Sequence, residues 1–561
     1  MTDLITHELV RSPDSVPGAV VAIPAVRGAE QSAGTWRVES GARVSGPKPL
    51  LAVIRRFTTD LAIDTGITLE VLDESADAVD IRIAIEATDL ADIPLATGVR
   101  ADGLDLAAAD ERYGVEVTPD GVRAWGVAPE AVHRGLTTLR QLITAAASNG
   151  SAEVPCVRIV DGPRFAWRGL SVDVGRTFHD VETICRVVDM CSLYKLNVLH
   201  LHLTDDAGWR FEVPSWPDLA LIGGAGALGD RPGGHYSPAD VATIVSYASE
   251  RFVTVVPEVD LPGHTQAVFA AYPELGPRPT AVAEQAKSVG LAVGTLDLDR
   301  GPTREFVADV FAAVAAQFPT SAWIHIGGDE AFGMSDRAHA EFVDFSIAAV
   351  RSLGRRAIGW QEAARAQVGP DEIVQYWVEP TQLTAMLEPD GAGAQLSLPP
   401  ELMAIMAETL RKTYDDIPKA LAKGASILVS PNSVLYLDRP YAETAADEGQ
   451  EERRRRVGLP QYPPASLRDM VEWDVHAVMP GVDDDRIAGV EAAVWCETVV
   501  DREDLEFLLL PRLAGVGERA WSSAPTVWDE YALRLATASR TWDARGWAWF
   551  RSESVDWQAA V

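Results

Sequence analysis

Short apolar runs recur along the chain from residue 164 onward. Runs of five to eight residues rich in Val, Ile and Leu are typical of strands that are covered on both faces. Eight such runs can be counted: GLSVDV from Gly169, NVLHLHL from Asn197, FVTVVPEV from Phe252, AWIHIG from Ala322, RAIGW from Arg356, EIVQYW from Glu372, SILVS from Ser426 and GVEAAVW from Gly489.

Amphipathic stretches with a helical period separate most of these runs. The clearest are Val181–Tyr194, Pro238–Arg251, Thr303–Phe318 and Arg337–Leu353. Eight alternating strand and helix units form a parallel sheet that closes into a (β/α)8 TIM barrel, about 250 residues long before insertions. The sequence therefore predicts an α/β fold with this barrel at residues 161–561 and long insertions at 379–425 and 439–488.

Residues 1–160 have a different pattern, which predicts a smaller α+β domain. Strand-like alternation at 80–86, 113–117 and 122–127 is followed by a helical pattern over Pro129–Ala147. Pro155, Gly162 and Pro163 then interrupt the chain, so we place the domain boundary near residue 160. A chain of 561 residues is long enough for two cores.

The charge balance disfavours two classes of partner. Lys and Arg total 49 against 82 Asp and Glu, a net charge of −33 that repels nucleic acids and anionic membranes. The start, MTDLITHELV, lacks the basic and apolar segments of a secretory signal, so we expect a cytoplasmic protein. The four cysteines follow no metal-binding or disulfide pattern, and we expect no cofactor and no metal.

Polar, charged and aromatic residues follow nearly every predicted strand. In a barrel these strand ends meet at one rim, where active sites lie. Carboxylates there can accept hydrogen bonds from sugar hydroxyls, and indole rings can cover the apolar face of a pyranose. The residues are Asp173, Arg176, Asp205, Asp206, Asp260, His264, Asp329, Glu330, Trp360, Glu362, Trp377, Asn432, Tyr436, Asp438, Trp495 and Glu497.

The segment HIGGDE, which begins at His325, carries the candidate chemistry. Cleavage of a glycosidic bond needs a proton donor and a group that stabilises an oxocarbenium-like centre. A second negative charge and partial burial would raise the pKa of Glu330 and keep it protonated near neutral pH. Asp329 and Glu330 are therefore the candidate pair.

The motifs of the chain resemble those of the glycoside hydrolase family 20 β-N-acetylhexosaminidases, and they occur in the same order. The first domain, with YGVEVTPDGVRAWG and GLTTLRQL, is similar to the α+β domain that precedes that family's barrel. The barrel motifs are RFAWRGLSVDVGRTF from Arg164, NVLHLHLTDDAGWR from Asn197, PEVDLPGHT from Pro257, HIGGDE, GWQE from Gly359, QYW from Gln375, YLD from Tyr436 and VWCET from Val494.

The resemblance implies exo-acting, retaining catalysis in which the substrate's own 2-acetamido oxygen is the nucleophile and forms an oxazolinium ion. By motif position, Glu330 would protonate the leaving oxygen and then activate water. Asp329 would orient the acetamido N–H and stabilise the positive charge. Tyr436 would hydrogen-bond the acetamido oxygen.

Eight further side chains are assigned by the resemblance. Three would enclose the acetamido methyl group, three would bind the outer hydroxyls so that only a terminal sugar fits, and two would form a relay behind the acid. They are, in that order, Trp360, Trp377 and Trp495; Arg168, Asp438 and Glu497; and Asp205 and His264.

One position departs from the family pattern. Gln461, in GLPQYPP, stands where the family usually has a tryptophan on the leaving-group side, and the neighbouring Tyr462 is a candidate substitute. The aglycone preference is therefore open, as are the choice between GlcNAc and GalNAc, the natural oligosaccharide or glycoconjugate, and the oligomeric state.

Alternatives remain at the level of single residues and of the whole site. Arg168 could be a structural ion-pair partner, the tryptophans could be core residues, and Asp205 could cap a helix. A metal-dependent barrel hydrolase is a rival, with ligands among His200, His202, Asp205, His264 and His325. A second rival is a carbohydrate-binding protein that kept the pocket without the reaction.

Overall fold

A closed barrel of eight parallel strands forms the larger part of the structure, a computed structural model that describes residues 20–76, 78–277, 294–379, 407–408 and 411–558. The predicted (β/α)8 barrel is thereby confirmed. In barrel order, from the first strand around to the last, the strands are β9 (Trp167–Asp173), β10 (Val198–His202), β13 (Thr254–Glu258), β14 (Trp323–His325), β15 (Arg356–Trp360), β16 (Ile373–Tyr376), β17 (Ser426–Val429) and β18 (Ile487–Val494). Two short strands after β10, β11 (Thr204–Asp205) and β12 (Gly208–Trp209), pair with each other outside the barrel.

The barrel interior is built in layers because alternate residues of each strand point inward. One layer is apolar and includes Trp167, Val256, Trp323 and Ile358. Two residues further along the same strands, buried polar groups replace the apolar ones. They include Glu258, His325 and Trp360. The interior thus becomes polar toward the carboxyl ends of the strands.

Three of the helices around the barrel begin at side-chain caps that the sequence supplies. Asp180 accepts a hydrogen bond from the backbone N–H of Thr183, and Ser237 forms a capping box with Asp240. The helices between strands are α3 (Val181–Leu193), α4 (Pro238–Ser249), α5 (Gln266–Ala271), α6 (Thr303–Gln317), α7 (Asp336–Ser352) and α8 (Asp416–Lys423).

The smaller domain is one mixed sheet covered by two helices, α1 (Leu51–Thr65) and α2 (Pro129–Ala146). Its sheet order is β1-β8-β5-β6-β4-β2-β3, with β7 paired to β8. The strands are β1 (Gly28–Glu39), β2 (Arg43–Ser45), β3 (Glu70–Leu72), β4 (Ile81–Ile85), β5 (Tyr113–Thr118), β6 (Gly121–Gly126), β7 (Ala147–Ser148) and β8 (Ser151–Asp161).

Helix α2 packs between this sheet and the barrel. His133 Nε2 lies 3.0 Å from Ser192 Oγ, and Gln141 Nε2 donates to the carbonyl of Leu193 at 3.0 Å. Both partners belong to the end of α3, so the polar side chains of α2 join the smaller domain to the barrel wall. This is why α2 is buried along nearly its whole length.

The remaining helices lie in and after the second insertion. Most of the first insertion, at 380–406 and 409–410, falls outside the described residues. In the ranges given above, none of the helices is both long and apolar enough to cross a membrane. The helices are α9 (Glu451–Arg456), α10 (Val475–Val478), α11 (Arg502–Leu509), α12 (Arg512–Trp521) and α13 (Trp528–Ala544).

Candidate active site at the carboxyl end of the barrel

A tight loop after β14 presents the two adjacent carboxylates. Gly327 and Gly328 have φ values of +70° and +103°, and Glu330 has a φ of +46°. Left-handed backbone is costly for a residue with a Cβ, and such residues concentrate at functional sites. The loop is fixed by Asp260, whose Oδ1 accepts the backbone N–H of Gly328 at 3.1 Å.

Replacing Gly327 with Ala is expected to abolish this loop geometry, because a Cβ at that position would overlap Asp260 Oδ1. We expect kcat to fall by at least about 10²-fold, since misplacing reacting groups by 1 Å has that effect. Gly333→Ala is the matched control, because it also has positive φ (+84°) while a Cβ there meets no described atom within 4 Å. Equal kcat values for the two variants in an aryl glycoside assay would contradict the argument.

His264 joins the two carboxylates to a third acid. Its Nε2 lies 3.7 Å from Asp329 Oδ2 and 3.7 Å from Glu330 Oε2, and its Nδ1 lies 3.2 Å from Asp205 Oδ2. Asp205 is also 3.0 Å from a guanidinium nitrogen of Arg176. The structure therefore brings together four residues to which the sequence assigned a role, and it joins to them Arg176, which the sequence placed at the rim without a role.

The environment drives the two adjacent carboxyls to opposite protonation states. Burial, with the negative charge of Asp329, raises the pKa of Glu330 to about 7, although the charge of His264 opposes the rise. Burial alone would also raise the pKa of Asp329, but the hydrogen bond and charge of His264 bring it below the ordinary value. Near neutral pH one carboxyl can hold a proton beside an ionised neighbour, which is the division of roles needed for acid catalysis.

Glu330 also remains reachable from outside. Its side chain keeps 32% of its surface exposed, whereas those of Asp329 and His264 keep 13% each. A proton donor must contact a leaving group that departs toward solvent, while a charge-stabilising carboxylate works best in a dry surrounding. The exposures fit these two roles.

Aromatic rings form a wall beside the carboxylates. The ring centroid of Trp495 lies 5.8 Å from that of Trp360 and 5.8 Å from that of Tyr436. Trp377 Nε1 donates to Glu362 Oε2 at 3.2 Å. Burial, with the negative charge of Asp329, raises the pKa of Glu362 to about 8.

Charged groups lie close to the Trp495 end of this wall. Arg176 is 3.5 Å from Glu497 Oε1, and its guanidinium stands 5.3 Å from the centroid of the Trp495 ring. Asp438 is buried, and neither of its carboxylate oxygens has a well-aligned hydrogen-bond partner among the described residues. Burial and the charge of Glu497 raise the pKa of Asp438 well above its ordinary value. The carboxyl groups of Asp438 and Glu497 can accept hydrogen bonds from a polar ligand, and the guanidinium of Arg176 can donate them.

Arg168 does not lie at this rim, and its assignment to sugar binding is wrong. It is the second residue of β9, at the opposite end of the barrel, and its side chain is fully buried. Its guanidinium donates to Glu111 at 3.0 and 2.5 Å and to the carbonyl of Phe165 at 2.7 Å. Arg168 is the structural ion-pair partner of the smaller domain, and Arg176, beyond the carboxyl end of β9, is the arginine that faces the pocket.

Tyr462 enters the site from the second insertion. Its ring lies 5.8 Å from that of Tyr436 in an edge-on arrangement, and Arg439 stands 5.8 Å from its centroid. Burial is the largest cause that raises the pKa of the Tyr462 phenol well above its ordinary value. The negative charges of Asp438, Glu497 and Glu330 raise it further. The phenol therefore faces the carboxylates, next to Gln461 at the position that departs from the family pattern.

Histidines and carboxylates in and above the barrel could be considered as metal ligands. In the described ranges, four groups of three such residues bring ligand atoms within 4.8 Å of one another. The imidazoles on the barrel axis already contact carboxylates; for example, His202 Nδ1 lies 2.8 Å from Glu258 Oε2. A metal ion would have to replace these contacts in order to bind the imidazole nitrogens. The metal-dependent alternative is tested by chelation, and full activity after exhaustive EDTA treatment would exclude it.

Two family models match the chain. One is described as "Glycosyl hydrolase family 20, catalytic domain" and covers residues 165–524, and the other is "Glycosyl hydrolase family 20, domain 2" over residues 21–162. Among curated proteins, a β-N-acetylhexosaminidase from Cellulomonas fimi is 37% identical over 458 residues. That alignment covers 81% of this chain and 83% of the relative.

Solved structures show the same similarity along the whole fold. A β-N-acetylhexosaminidase from Streptomyces coelicolor superposes with a TM-score of 0.76 at 31% identity, covering 97% of this chain and 100% of the other. A mutant β-hexosaminidase from Streptomyces plicatus, in complex with its product GlcNAc, superposes with a TM-score of 0.76 at 29% identity and covers 97% and 99%.

Proposed function

The chain belongs to glycosyl hydrolase family 20, the β-N-acetylhexosaminidases, and from that premise we propose that it releases terminal β-linked GlcNAc or GalNAc from the non-reducing ends of oligosaccharides. The reaction proceeds with retention of configuration and uses the substrate's acetamido group as nucleophile. The observation that carries this proposal is the placement of the Asp329 and Glu330 carboxyls, each 3.7 Å from His264 Nε2, beside the aromatic wall of Trp495 and Tyr436.

In the first step, the carboxyl of Glu330 gives its proton to the glycosidic oxygen as the bond from that oxygen to the anomeric carbon breaks. The acetamido oxygen forms a new bond to the anomeric carbon, which gives a positively charged oxazolinium ring. Asp329 holds the acetamido N–H and stabilises the developing charge. The low pKa of Asp329 supports this role, because the carboxylate is ionised before the substrate arrives.

In the second step, the carboxylate of Glu330 takes a proton from water, and the water oxygen attacks the anomeric carbon. The oxazolinium ring opens, the acetamido group is restored and Glu330 regains its proton. A group with a pKa near 7 can both donate and accept a proton near neutral pH. Two inversions at one carbon leave the β configuration unchanged.

The pocket walls select the acetamido sugar and its terminal position. Trp360, Trp377 and Trp495 enclose the methyl group, and Tyr436 donates to the acetamido oxygen in this proposal. The pKa of Tyr436 is raised well above its ordinary value, mainly by burial. Its hydroxyl therefore keeps the proton that it would donate. The outer hydroxyls are bound in this proposal by Arg176, Asp438 and Glu497, which close the far end of the pocket against a longer chain.

Hydrolysis of aryl β-glycosides of GlcNAc, GalNAc and glucose tests the proposal. We expect turnover of the two acetamido sugars and none of the glucoside above background, because glucose lacks the neighbouring nucleophile. Rates of aryl release are measured at about pH 6, roughly one unit below the pKa of about 7 for Glu330, where its carboxyl holds the proton. Equal rates on the glucoside would contradict participation of the acetamido group, and measurable turnover would dismiss the non-catalytic binding protein.

Cytoplasmic residence and small imported oligosaccharides as substrates are part of the same proposal. All four cysteines carry free thiols, as a reducing compartment would keep them. Cell fractionation followed by the aryl GlcNAc assay tests the location, and activity recovered mainly outside the cytoplasmic fraction would contradict it.

A further inference from the structure

A buried network of acids and histidines lies on the barrel axis, directly beneath the candidate site. Its centre is Glu258, the last residue of β13, which has no exposed surface. Oxygen Oε1 accepts a hydrogen bond from Trp360 Nε1 at 2.8 Å and lies 2.9 Å from His325 Nδ1. Oxygen Oε2 lies 2.8 Å from His202 Nδ1 and 3.1 Å from His200 Nε2.

The two oxygens of Glu258 therefore lead to two different parts of the site. Through Oε1, Glu258 fixes the indole of Trp360, whose ring stands 5.8 Å from that of Trp495 in the pocket wall. Through Oε2, it fixes the imidazole of His202. A single carboxylate thus contacts both the wall of the pocket and the support of the acid.

The second path continues to the proton donor in three short steps. His202 Nε2 lies 3.4 Å from Asp205 Oδ2, and the same oxygen lies 3.2 Å from His264 Nδ1. His264 Nε2 then lies 3.7 Å from Glu330 Oε2. Asp205, His202 and Glu258 are each at most 3% exposed, so water has little access to this path.

We propose that Glu258 is a positioning residue that holds the acid relay and the acetamido pocket in register through its two oxygens. The inference rests on the proposed function, since it assigns a purpose to that relay and that pocket. Glu258 is not a catalytic residue, because Trp360 and His202 separate it from the substrate.

The energetics of burial explain why one charged group can fix so many others. An ionised carboxylate inside a protein is tolerated when charged and hydrogen-bonding partners surround it, and removing that charge frees every partner. Burial alone would raise the pKa of Glu258, but the charges of His325, His202 and His200 hold it well below the ordinary value. The negative charge of Glu258 in turn acts to raise the pKa of Asp260 and that of Asp329.

Glu491 offers a matched control for the same chemical change. It is also fully buried, its Oε1 lies 2.8 Å from His200 Nδ1 and 3.1 Å from Gln375 Nε2, and its Oε2 accepts from Trp167 Nε1 at 2.8 Å. Glu491 shares one partner, His200, with Glu258, but Trp167, Gln375 and His200 include none of the pocket or relay residues. Glu491→Gln therefore reproduces the loss of a buried charge without touching the site.

The test compares Glu258→Gln and Glu491→Gln with the wild type in the full-length chain, using aryl GlcNAc. For Glu258→Gln we expect kcat to fall by at least about 10-fold and KM to rise, since both the acid and the pocket lose their support. The alkaline limb of the kcat profile should also move to higher pH, because the positive charge of a displaced His264 no longer lowers the pKa of Glu330. Glu491→Gln should keep the wild-type pH limb and KM, whatever its melting temperature.

Two further variants separate the paths and remain informative if Glu258→Gln does not fold. Trp360→Phe deletes the indole donor and should raise KM without moving the pH limb. His202→Gln deletes the link to Asp205 and should move the pH limb; because the His202 ring also stands edge-on to that of Trp495, at 5.1 Å between centroids, KM should rise, but less than in Trp360→Phe. Circular dichroism verifies the fold of each variant.

The possible results separate two failures. If the wild type hydrolyses aryl GlcNAc but Glu258→Gln and Glu491→Gln give the same pH limb and KM, the positioning role is overturned and the proposed function stands. Identical profiles for Trp360→Phe and His202→Gln would overturn it as well. A wild type without turnover of any acetamido sugar would instead remove the proposed function itself.

Discussion

Glu330→Gln is expected to lower kcat for aryl GlcNAc by about 10²- to 10⁴-fold, the usual range for losing a general acid and base. The amide keeps the size of the side chain but cannot supply a proton to the leaving oxygen or take one from water. The loss should be larger for a disaccharide than for an aryl glycoside, because a nitrophenolate leaves without protonation. Steady-state kinetics on both substrates measure the difference.

The pH profile gives a second readout of the same residue. The first step needs a protonated acid, and the pKa of Glu330 is about 7 because of burial and the charge of Asp329. Wild-type kcat should therefore be full below this value and fall as the pH rises through it. The Gln variant cannot titrate, so its residual activity should lack this alkaline limb.

Glu362→Gln is the control for this prediction. Glu362 is also a buried carboxyl near Asp329, and burial raises its pKa to about 8, so it holds its proton over the same pH range. Its amide variant can still accept from Trp377 Nε1, and we expect a loss in kcat far smaller than that of Glu330→Gln. Similar losses in the two variants would show that any buried neutral carboxyl in the pocket has the effect attributed to the acid.

The sequence predicted the parts of the fold that depend on local periodicity. All eight barrel strands lie within about two residues of their apolar runs, for example Arg356–Trp360, and the helix at Val181–Leu193 ends one residue before its expected end. Two long strands of the smaller domain were not anticipated. Strand β8 contains Pro155, which pairs with Thr35 beside a register shift, where a proline without an N–H is tolerated.

The site residues that follow the carboxyl end of a strand were predicted from the sequence. A residue within a strand was not, because its position along the strand decides which end of the barrel its side chain belongs to. Asp329, Glu330, Asp205 and His264 follow strands and meet at the rim. Arg168 precedes the carboxyl end of its own strand by five residues, so its side chain belongs to the other end of the barrel. Arg176 follows the carboxyl end of β9, so its position along the chain favours it as the arginine of the rim.

The network around Glu258, beneath the site, could not be predicted from local sequence. Glu258 lies inside an apolar run, and its neighbours in the structure come from three other strands: His202, His325 and Trp360. A polar residue at an inward position of a barrel strand is the one available signal, because a buried charge requires partners. The identity of those partners follows from the register of the closed sheet.

Asp329→Asn is expected to lower kcat for aryl GlcNAc by about 10²- to 10³-fold, the typical cost of losing one preorganised electrostatic contact to a charged transition state. The amide can still accept from an acetamido N–H, but it cannot offset the positive charge of the oxazolinium ring. Since the hydrogen bond and charge of His264 hold the pKa of Asp329 below its usual value despite burial, the wild type keeps this charge throughout neutral pH. Activity that depends on the negative charge of Asp329 should persist at acid pH until the pH falls below the ordinary pKa of a carboxyl group.

The loss should appear in kcat and not in the binding of the product, because the charge matters in the transition state and GlcNAc is neutral. Tryptophan fluorescence on titration with GlcNAc measures binding, and the rings of Trp360 and Trp495 provide the signal. Asp438→Asn is the comparison, since that carboxyl contacts an outer hydroxyl in our proposal and should weaken GlcNAc binding more than Asp329→Asn does. A kcat loss below 10-fold for Asp329→Asn, which corresponds to about 1.4 kcal/mol of barrier, would mean that its charge does not stabilise the reacting centre.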